Sequence, residues 1–388
     1  MAPNMYLPDD VTMILTTLHQ AGFQAVVVGG AVRDALRGIE PIDYDIATSA
    51  TPQEMQQVFC EFHLIPTGLE HGTLTLRVHH HNYEVTTFRS ESGVFDHRHP
   101  TKVEFIGTLK DDLARRDFTI NAMAYDEVLH DYYGGQEDLK NGIIRCVGNP
   151  IERFTEDALR ILRALRFSVQ CRFIIEPSTK QAMMQTYPLL ASISRERIQV
   201  ELLKMMAKDL GWVLKEYAEI FIFLFEGLNQ PGIDTYLTHY QALPNDLSLH
   251  LALLFYHDTE LENDIKSLRL SKQQTNHILK VLTIENSLIS KEDVLIALQS
   301  HREEDIYGVL VLQSVLQNQP ELLSLWNDVV KSPYLVKHLA ITRDEVRKTQ
   351  RIKGPAIKEM LITLLIQVAL HGLENTKESL FSYLKRNN

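Results

Sequence analysis

The sequence predicts an α/β unit in about the first third of the chain, followed by helices through the remainder. Two observations favour this fold class. Residues 9–21 and 31–36 carry apolar residues at helical spacing, and they alternate with the strand-like apolar runs 24–28 and 44–47. From about Asn149 onward the strand patterns fade, and apolar residues recur at helical spacing.

The next segments continue the α/β pattern. The Thr-Pro pair at residues 51–52 predicts a helix start, because threonine is a preferred cap and proline suits the first helical position. Residues 73–78 and 83–88 are predicted strands, joined by three histidines and an asparagine at 79–82. We predict a hairpin turn for these histidines rather than a metal site, because no further ligand set accompanies them. Residues 89–103 are polar and predicted to be a loop.

The composition is that of an ordinary globular protein. The 388 residues are 45% hydrophobic and 23% charged, and the chain is long enough for two or more domains. The first ten residues lack the pattern of a signal peptide, and the longest apolar stretches are too short to span a bilayer. Cys60, Cys146 and Cys171 lie far apart in the sequence, without metal-ligand spacing. We therefore expect a cytoplasmic protein with no membrane association.

The formal net charge of −11 argues at first against a nucleic-acid partner, but the charge is unevenly distributed. Residues 331–388 hold eleven lysines and arginines against five acidic residues. The clearest cluster comprises Arg343, Arg347, Lys348, Arg351, Lys353 and Lys358. Such a cluster is compatible with phosphate contacts, although a solvated helix face is the commoner explanation.

The most informative pattern is a pair of aspartates, Asp43 and Asp45, shortly after two glycines at 29–30. Residues i and i+2 of a strand point to the same face, so we expect both carboxylates to share one space. Paired oxygen ligands suit Mg²⁺, which binds through one or two carboxylates plus substrate phosphates. Glycine lets the backbone approach phosphate, and a helix beginning near Val32 would direct N–H groups at an anion. The combination predicts nucleotidyl transfer, whereas either pattern alone would be weak.

Two later segments supply arginines. Arg115 and Arg116 precede an apolar segment that we predict to be a helix carrying Asn121 and Met123. An arginine is well shaped for bidentate contact with a phosphate, which a triphosphate substrate demands.

A further segment places Asp157, Arg160 and Arg163 three residues apart, with Arg166 following. This spacing predicts that the first three share one helix face. An Asp–Arg pair at this spacing is commonly a simple helix salt bridge, but three arginines with one acid provide more positive charge than a helix needs.

In order and spacing, these motifs resemble those of the class II CCA-adding tRNA nucleotidyltransferases. The matching segments are residues 29–34 (GGAVRD), 43–45 (DYD), 115–122 (RRDFTINA), 156–163 (EDALRILR) and 194–198 (SRERI). Residues 353–357 (KGPAI) resemble the tail of the Gram-positive-type bacterial members. The resemblance implies a nucleotidyltransferase head with a polymerase-β-like mixed sheet, followed by an all-α neck, body and tail. The implied boundaries are 1–148 for the head, 149–208 for the neck, 209–330 for the body and 331–388 for the tail.

The resemblance also assigns the chemistry. It implies that Asp43 and Asp45 are catalytic and hold Mg²⁺, which activates the RNA 3′ hydroxyl. It places Gly30, Arg33 and Arg116 around the triphosphate of the bound nucleotide, ATP or CTP.

The same resemblance implies that Asp157 and Arg160 read the incoming base, with Arg163 and Arg166 also at the nucleotide site. A third catalytic carboxylate is common in such heads. Glu84 is the candidate, with a charge at the sheet edge as the equal alternative.

The implied activity is template-independent addition of C, C and A to the 3′ end of tRNA from CTP and ATP. The implied partner is tRNA, bound through its 3′ end and its acceptor and T arms. The sequence leaves the oligomeric state open, with a homodimer as one candidate. Residues 89–103 correspond to a flexible loop associated with the switch from C to A addition. Three alternatives stay open: a poly(A) polymerase, an enzyme that adds only the terminal A, and a catalytically inactive RNA-binding module.

Overall fold

The computed structural model describes residues 5–68, 72–95, 100–104, 107–284, 288–331 and 333–386. The chain divides into two compact units, Met1–Val213 and Leu214–Asn388. The domain boundaries predicted after residues 148, 208 and 330 stay predictions.

A seven-stranded mixed sheet forms the centre of the first unit. The described residues of this unit contain eleven strands, of which seven form this sheet: β1 (Ala25–Val28), β2 (Asp45–Thr48), β3 (His63–Gly68), β4 (Thr73–Val78), β5 (His81–Thr87), β6 (Ser90–Phe95), β7 (Pro100–Glu104), β8 (Met123–Tyr125), β9 (Leu129–Asp131), β10 (Ile143–Ile144) and β11 (Ile174–Ile175). The sheet order is β3-β4-β5-β2-β1-β8-β9, in which β2 and β5 are parallel and the other neighbours are antiparallel. Strands β6 and β7 form a separate antiparallel hairpin, and β10 and β11 form a short parallel pair.

Outside the strands, most of the described chain is helical. In the first unit the helices are α1 (Asp9–Gln20), α2 (Gly30–Leu36), α3 (Pro52–Val58), α4 (Leu109–Ala114), α5 (Gly135–Asn141), α6 (Pro150–Glu156), α7 (Leu159–Cys171), α8 (Pro177–Thr186) and α9 (Arg195–Met206). The later helices are α10 (Gly211–Glu216), α11 (Ala218–Leu224), α12 (Gln230–His239), α13 (Leu247–Leu254), α14 (Leu261–Ser267), α15 (Lys272–Thr283), α16 (Lys291–Leu298), α17 (Glu303–Leu316), α18 (Leu322–Val329), α19 (Arg343–Gln350), α20 (Pro355–His371) and α21 (Lys377–Arg386). The predicted fold class, a mixed sheet with helices followed by a mostly helical remainder, is confirmed.

The centre of the sheet is apolar on both faces, which fixes the two strands that carry the site. In β1, Val27 packs into one core cluster and Val28 into another. In β2, Ile46 and Ala47 divide between the same two clusters. Asp45 is the first residue of β2 and shares the face of Ala47, because strand side chains alternate. The Asp45 carboxylate therefore lies at the exposed start of a strand whose next three residues are buried.

Local signals identified several elements correctly. The helix start at 51–52 is confirmed: Thr51 accepts the N–H of Glu54, and the Glu54 carboxylate accepts the N–H of Thr51 in a capping box. The hairpin of β4 and β5 is also confirmed, and His79 occupies its turn with a φ of 52°. His79 pairs with Asp10 through Nδ1 at 3.0 Å.

Three local predictions are wrong. The segment after Arg116 is a short 3₁₀ turn (Thr119–Asn121) followed by strand β8, because a central position in the sheet overrides the helical pattern. The predicted polar loop at 89–103 contains the paired strands β6 and β7, while residues 96–99 lie outside the described part. The predicted all-α neck includes the two-residue strand β11, which pairs in parallel with β10.

The second unit is helical and has its own apolar core. Helices α16, α17 and α20 contribute buried residues to it, including Leu295, Leu310 and Leu364. Across the described residues, no helix has both the length and the apolar content needed to cross a membrane.

Two facing carboxyl groups lie within this helical unit. Asp264 accepts the backbone N–H groups of Gly227 at 2.7 Å and Glu226 at 3.2 Å. The Oδ2 atom of Asp258 is buried and has no hydrogen-bond partner among the described residues. Burial, together with the negative charge of Asp264, raises the pKa of Asp258 to about 6. A proton on Asp258 is therefore favoured more strongly in the folded protein than in the unfolded chain.

We expect Asp258→Asn to stabilise the protein at pH 7.5. The folded-state pKa is raised, so the favourable contribution of the protonated group is lost as the pH rises through about 6. Asparagine keeps a donor toward Asp264 at every pH. Because Asp258 is only partly buried, solvent screens part of this effect, and we expect the unfolding midpoint to rise by about 2 °C. The measurement is thermal unfolding by circular dichroism at pH 5.0 and 7.5.

The gain should shrink at pH 5.0, where wild-type Asp258 is mostly protonated. The exposed Glu292, changed to Gln, is the matched control and should move neither midpoint. Equal destabilisation of Asp258→Asn at both pH values would contradict this explanation.

Candidate active site

A polar cavity of about 440 Å³ in the first unit gathers most of the predicted site residues. Its lining residues are Gly29, Gly30, Arg33, Asp45, Arg115, Arg116, Asp117, Asn121, Asp157, Leu159, Arg160, Arg163, Arg166, Phe167 and Arg197. They come from the β1–α2 turn, the start of β2, the segment after α4, helix α7 and the start of α9. Seven arginines face three aspartates across this wall, which makes the cavity suited to an anionic ligand.

Eight of the ten predicted site residues line this cavity, and two do not. The eight are Gly30, Arg33, Asp45, Arg116, Asp157, Arg160, Arg163 and Arg166. Asp43 lies two residues before β2 and is exposed. Glu84 is the register partner of Asp45 in the parallel pair β2–β5, and both line an adjoining cavity of about 160 Å³.

The surroundings of Asp45 disfavour the charged form of its carboxyl group. The Asp45 side chain keeps access to solvent, but the surrounding protein removes enough water to raise its pKa. Arg116 opposes this shift, and the nearby Asp43 adds to it. Among the described residues, no group of three or more acidic, histidine or cysteine side chains is arranged to hold a metal ion. Asp45 lines both cavities and Asp43 lines neither, so the predicted sharing of one space by the two carboxylates stays a prediction, as does the role of Glu84 as a third carboxylate.

Gly29 allows Arg116 to approach the backbone. Its φ of 71° and ψ of −127° belong to a region that glycine adopts readily and other residues avoid. A Cβ atom at this position would lie 3.1 Å from Nη1 of Arg116. On its other side, Nη2 of Arg116 donates to Asp112 at 3.2 Å. Its Nε is buried with no partner among the described residues, so one donor is left for a ligand.

A chain of hydrogen bonds joins three elements around the cavity. Nη1 of Arg33, on α2, donates to Oδ1 of Asn121 at 2.8 Å. The Asn121 amide donates to Asp117 at 3.2 Å, and Asp117 accepts Nε of Arg163, on α7, at 2.8 Å. The sequence did not reveal Asp117 or Asn121 as site residues, and their only signal was membership in the 115–122 motif.

Asp117 is the buried acid of this chain. Burial alone would raise the pKa of its carboxyl group, but the charge of Arg163 and the hydrogen bonds from Arg163 and Asn121 lower it to about 2. The group is therefore ionised at any physiological pH, and Arg163 carries its counter-charge.

One aromatic ring organises three of the arginines. The guanidinium carbons of Arg33, Arg163 and Arg166 lie 5.1, 5.4 and 4.0 Å from the centroid of the Phe167 ring. Cation–π contacts of this kind hold a guanidinium while leaving its N–H groups free to donate. Phe167 was missed by sequence reasoning, since a phenylalanine at helical spacing is usually a core residue.

Asp157 does not share a helix face with the arginines, so that prediction is wrong. The residue caps the end of α6 with φ −145° and ψ 101°, and α7 begins only at Leu159. Oδ1 of Asp157 accepts the N–H of Leu159 at 3.1 Å, and Oδ2 accepts Nη2 of Arg197 at 2.8 Å. Extended backbone between the two helices, not an i, i+3 relation, sets the position of Asp157.

Arg160 and Arg166 are each held by an acid outside the cavity. Nη1 of Arg160 donates to Glu156 at 2.7 Å, and its Nη2 donates to the carbonyl of Arg115 at 3.0 Å. Nε of Arg166 donates to the buried Glu201 of α9. Because the counter-ions stand behind the cations, the remaining N–H groups are available to the cavity.

Family comparison defines the class of protein. The model of the Poly A polymerase head domain matches residues 25–145, and the model described as the probable RNA and SrmB- binding site of polymerase A matches residues 172–214. The mixed sheet, the strand-borne aspartate and the arginine-lined cavity lie within or beside these matches. The chain is a nucleotidyltransferase with this type of head.

Individual relatives narrow the class further. The chain is 34% identical to a CCA-adding enzyme of Staphylococcus haemolyticus over 96% of both chains, and 39% identical to one of Staphylococcus aureus over 78% and 76%. The structure of a Bacillus stearothermophilus CCA-adding enzyme in complex with CTP matches with a TM-score of 0.75 and 30% identity, covering 100% and 98% of the two chains. A Thermotoga maritima CCA-adding enzyme complexed with tRNA shares the fold at a TM-score of 0.74 and 22% identity, covering 99% and 96%. The chain belongs to the family of CCA-adding enzymes.

We expect Asp117→Asn to destabilise the protein by about 2 kcal/mol at pH 7, because it leaves the partly exposed Arg163 charge without its buried partner. The folded-state pKa of Asp117 is lowered, so its contribution is present at neutral pH and is lost as the pH falls through about 2. Urea unfolding at pH 7 gives the free energy of unfolding for both proteins.

The exposed Glu61, changed to Gln, is the control and should leave the free energy of unfolding unchanged. The difference in free energy of unfolding between wild type and Asp117→Asn should be smaller when the same measurement is made near pH 3. A difference that stays constant between these pH values would argue against the ion pair.

Proposed function

We propose that this enzyme adds C, C and A in turn to the 3′ end of tRNA from CTP and ATP, and releases diphosphate. The observation that carries the proposal is the single cavity in which Asp45, the arginine cluster and the Asp157–Arg160 segment meet. Nucleotidyl transfer needs these three functions together: a carboxylate site for a cation, donors for a triphosphate, and groups that select the base.

The carboxylate pair fits a hard divalent cation, and nucleotidyltransferases of this class generally use one. We propose Mg²⁺, held by Asp43 and Asp45. Two features support the assignment. Both ligands are carboxylate oxygens, and burial together with the charge of Asp43 raises the pKa of Asp45, an unfavourable setting for its charge that a bound cation would relieve. When bound, the ion would activate the RNA 3′ hydroxyl and offset charge on the nucleotidyl group.

The arginine cluster is suited to the triphosphate. We propose that Gly30, Arg33 and Arg116 bind it, with Arg163 and Arg166 also at the nucleotide site. Guanidinium groups donate in pairs to phosphate oxygens, and the buried acids behind them keep the groups oriented before the substrate arrives. The buried Nε of Arg116, with no partner in the described part, is a donor still to be satisfied.

Base selection follows from the hydrogen-bond capacities of two side chains. Cytosine and adenine each present an amino donor beside a ring-nitrogen acceptor, whereas uracil and guanine present a carbonyl beside an N–H. A carboxylate only accepts and a guanidinium only donates. Asp157 can accept from the amino group while Arg160 donates to the ring nitrogen, for C and A alike. Both side chains keep unused lone pairs or N–H groups after their contacts to Arg197 and Glu156.

We further propose that the basic cluster of the second unit contacts tRNA. All six of its side chains are exposed, on and around α19 and the start of α20. Arg343 and Lys358 also line a cavity of about 420 Å³ together with Lys337. A tRNA substrate implies that the enzyme works in the cytoplasm. Contact with the acceptor and T arms, and assembly as a homodimer, stay predictions.

The decisive experiment is gel-resolved extension of a tRNA that lacks its 3′ CCA, with Mg²⁺ and CTP, ATP or both. Addition of C, C and A followed by a stop is the expected result. Long A tails without C would indicate a poly(A) polymerase, and A added only to a CC end would indicate an A-adding enzyme. No addition with retained tRNA binding would indicate an inactive RNA-binding module.

We expect Asp43→Ala and Asp45→Ala each to reduce addition of both C and A to background, because each removes an oxygen ligand of the proposed cation site. Affinity for tRNA, measured by filter binding, should stay within about twofold of wild type, since the arginine cluster is unchanged. The exposed Glu61, changed to Ala, is the matched control and should extend tRNA normally. Retained incorporation by either aspartate variant would refute the metal assignment.

We expect Asp157→Ala to relax base choice. Removing the acceptor that rejects a carbonyl should lower the preference for CTP over UTP by about tenfold or more. The measurement is single-nucleotide incorporation with each of the four triphosphates on a tRNA lacking CCA. The exposed Glu137, changed to Ala, should keep the wild-type preference. Unchanged discrimination against UTP and GTP by Asp157→Ala would remove Asp157 from the proposed base-reading pair.

A further inference from the structure

A second cavity, of about 520 Å³, lies one helical turn beyond the candidate active site within the first unit. Helix α2 contributes Arg33 to the active-site cavity, and Arg37, which follows α2, lines the second cavity. Helix α7 contributes Arg166 to the first and Gln170 to the second. The same two elements therefore line both cavities in succession.

Aromatic and basic side chains together line this second cavity. Arg37, Arg172 and Lys208 are its cations, and Asp209 is its only acid among the described lining residues. Phe173 and Trp212 supply two aromatic rings, and the guanidinium carbon of Arg37 lies 5.4 Å from the Phe173 centroid. A volume of this size is in the range of about 300–1,000 Å³ that is typical of small-ligand sites.

Several of these groups have no partner within the described part of the chain. Arg172 and Lys208 are exposed and form no ion pair there, and the indole N–H of partly exposed Trp212 has no hydrogen-bond acceptor there. Arg172 sits in the left-handed region with φ 58°, at the end of α7. Cations without partners beside partly exposed aromatic rings are the pattern that binds single-stranded nucleic acid, with phosphate on the cations and base on the rings.

The charge of the cavity indicates which form of nucleotide fits. Three cations and one carboxylate line the cavity, and Asp34 lies 3.8 Å from Arg37 and offsets its charge. The remaining excess of one positive charge matches a phosphodiester, which carries one negative charge, better than a triphosphate. The segment matched by the RNA-binding family model, residues 172–214, supplies Arg172, Phe173, Lys208, Asp209 and Trp212. Both observations favour a nucleotide within an RNA strand over a free nucleoside triphosphate.

Direct contacts couple this cavity to the active site. Nη1 of Arg166 donates to Oε1 of Gln170 at 3.3 Å. Asp34 accepts Nη2 of Arg33 at 2.9 Å, and its other oxygen lies 3.8 Å from Nη1 of Arg37. A ligand that contacts Arg37 or Gln170 thus touches the partners of two active-site arginines.

We propose that the second cavity binds one nucleotide of the single-stranded end of the RNA substrate, with its base against Trp212 and Phe173 and its phosphate on Arg172 and Lys208. The proposal rests on the proposed function, because it assigns a binding site to the RNA primer of that reaction. It identifies Trp212 and Lys208 as RNA-binding residues that do not touch the incoming triphosphate.

The test uses tryptophan fluorescence, since the chain contains two tryptophans. In a Trp326→Phe background, Trp212 is the only tryptophan, and its emission is titrated with a short single-stranded RNA ending in CC, with CMP and with CTP. Quenching that saturates with the RNA, at concentrations at least tenfold below those needed for CMP or CTP, supports the proposal. A response to CTP alone, or none to the RNA, overturns it.

Variants provide a second measurement on the full-length enzyme. We expect Trp212→Ala and Lys208→Glu each to raise the KM for tRNA about tenfold, in line with the loss of one stacked base or one phosphate contact. The KM for CTP should stay within twofold. Trp212→Phe keeps an aromatic ring and should restore the KM for tRNA to within about threefold of wild type. Lys140→Glu makes the same charge change at an exposed lysine outside both cavities and should have little effect.

These outcomes separate the two proposals. If wild type does not extend tRNA at all, the proposed function fails. If wild type extends tRNA normally but Trp212→Ala and Lys208→Glu have the same KM for tRNA and KM for CTP as Lys140→Glu, only the second binding site is refuted.

Discussion

The ion pair between the buried Asp117 and the partly buried Arg163 is the interaction on which the site depends. The two residues are 46 positions apart, and their contact fixes the segment after α4 against helix α7. Asn121 extends the pair to Arg33 on α2, so a single acid ties three elements around one cavity. Because the pKa of Asp117 is lowered to about 2, this carboxylate is charged at neutral pH and accepts from both Arg163 and Asn121.

The other arginines of the cavity wall are held in the same way, each by an acidic side chain. Each arginine of the wall contacts an acid, and the acids that hold Arg33, Arg116, Arg160 and Arg166 stand outside the cavity lining. Phe167 gives three of these cations a common apolar surface. Such preorganisation matters for transfer of a highly charged group, because donors that are already oriented need no rearrangement as charge shifts during the reaction.

Sequence reasoning succeeded where the signal was local. A glycine turn, a short apolar strand and a capping Thr-Pro pair each depend on neighbouring residues. Helix α2 and strand β2 lie within two residues of their predicted bounds, and α3 begins where its start was predicted. It failed where distant packing decides. Asp157 lies on extended backbone between two helices, and residues 123–125 enter the central sheet despite a helical pattern. Asp117 and Phe167 acquire their roles only through partners far along the chain, which spacing within one segment cannot reveal.

Gly29 has a consequence for how this protein tolerates genetic variation. The residue carries no functional group, yet its positive φ and the nearby Arg116 exclude every side chain at once. In a saturation scan of the gene, position 29 would therefore show a tolerance profile as narrow as that of a reactive residue. A scan that ranks positions only by their intolerance to substitution would therefore place Gly29 among the catalytic residues. Its contribution is instead the space that its missing side chain leaves for Arg116.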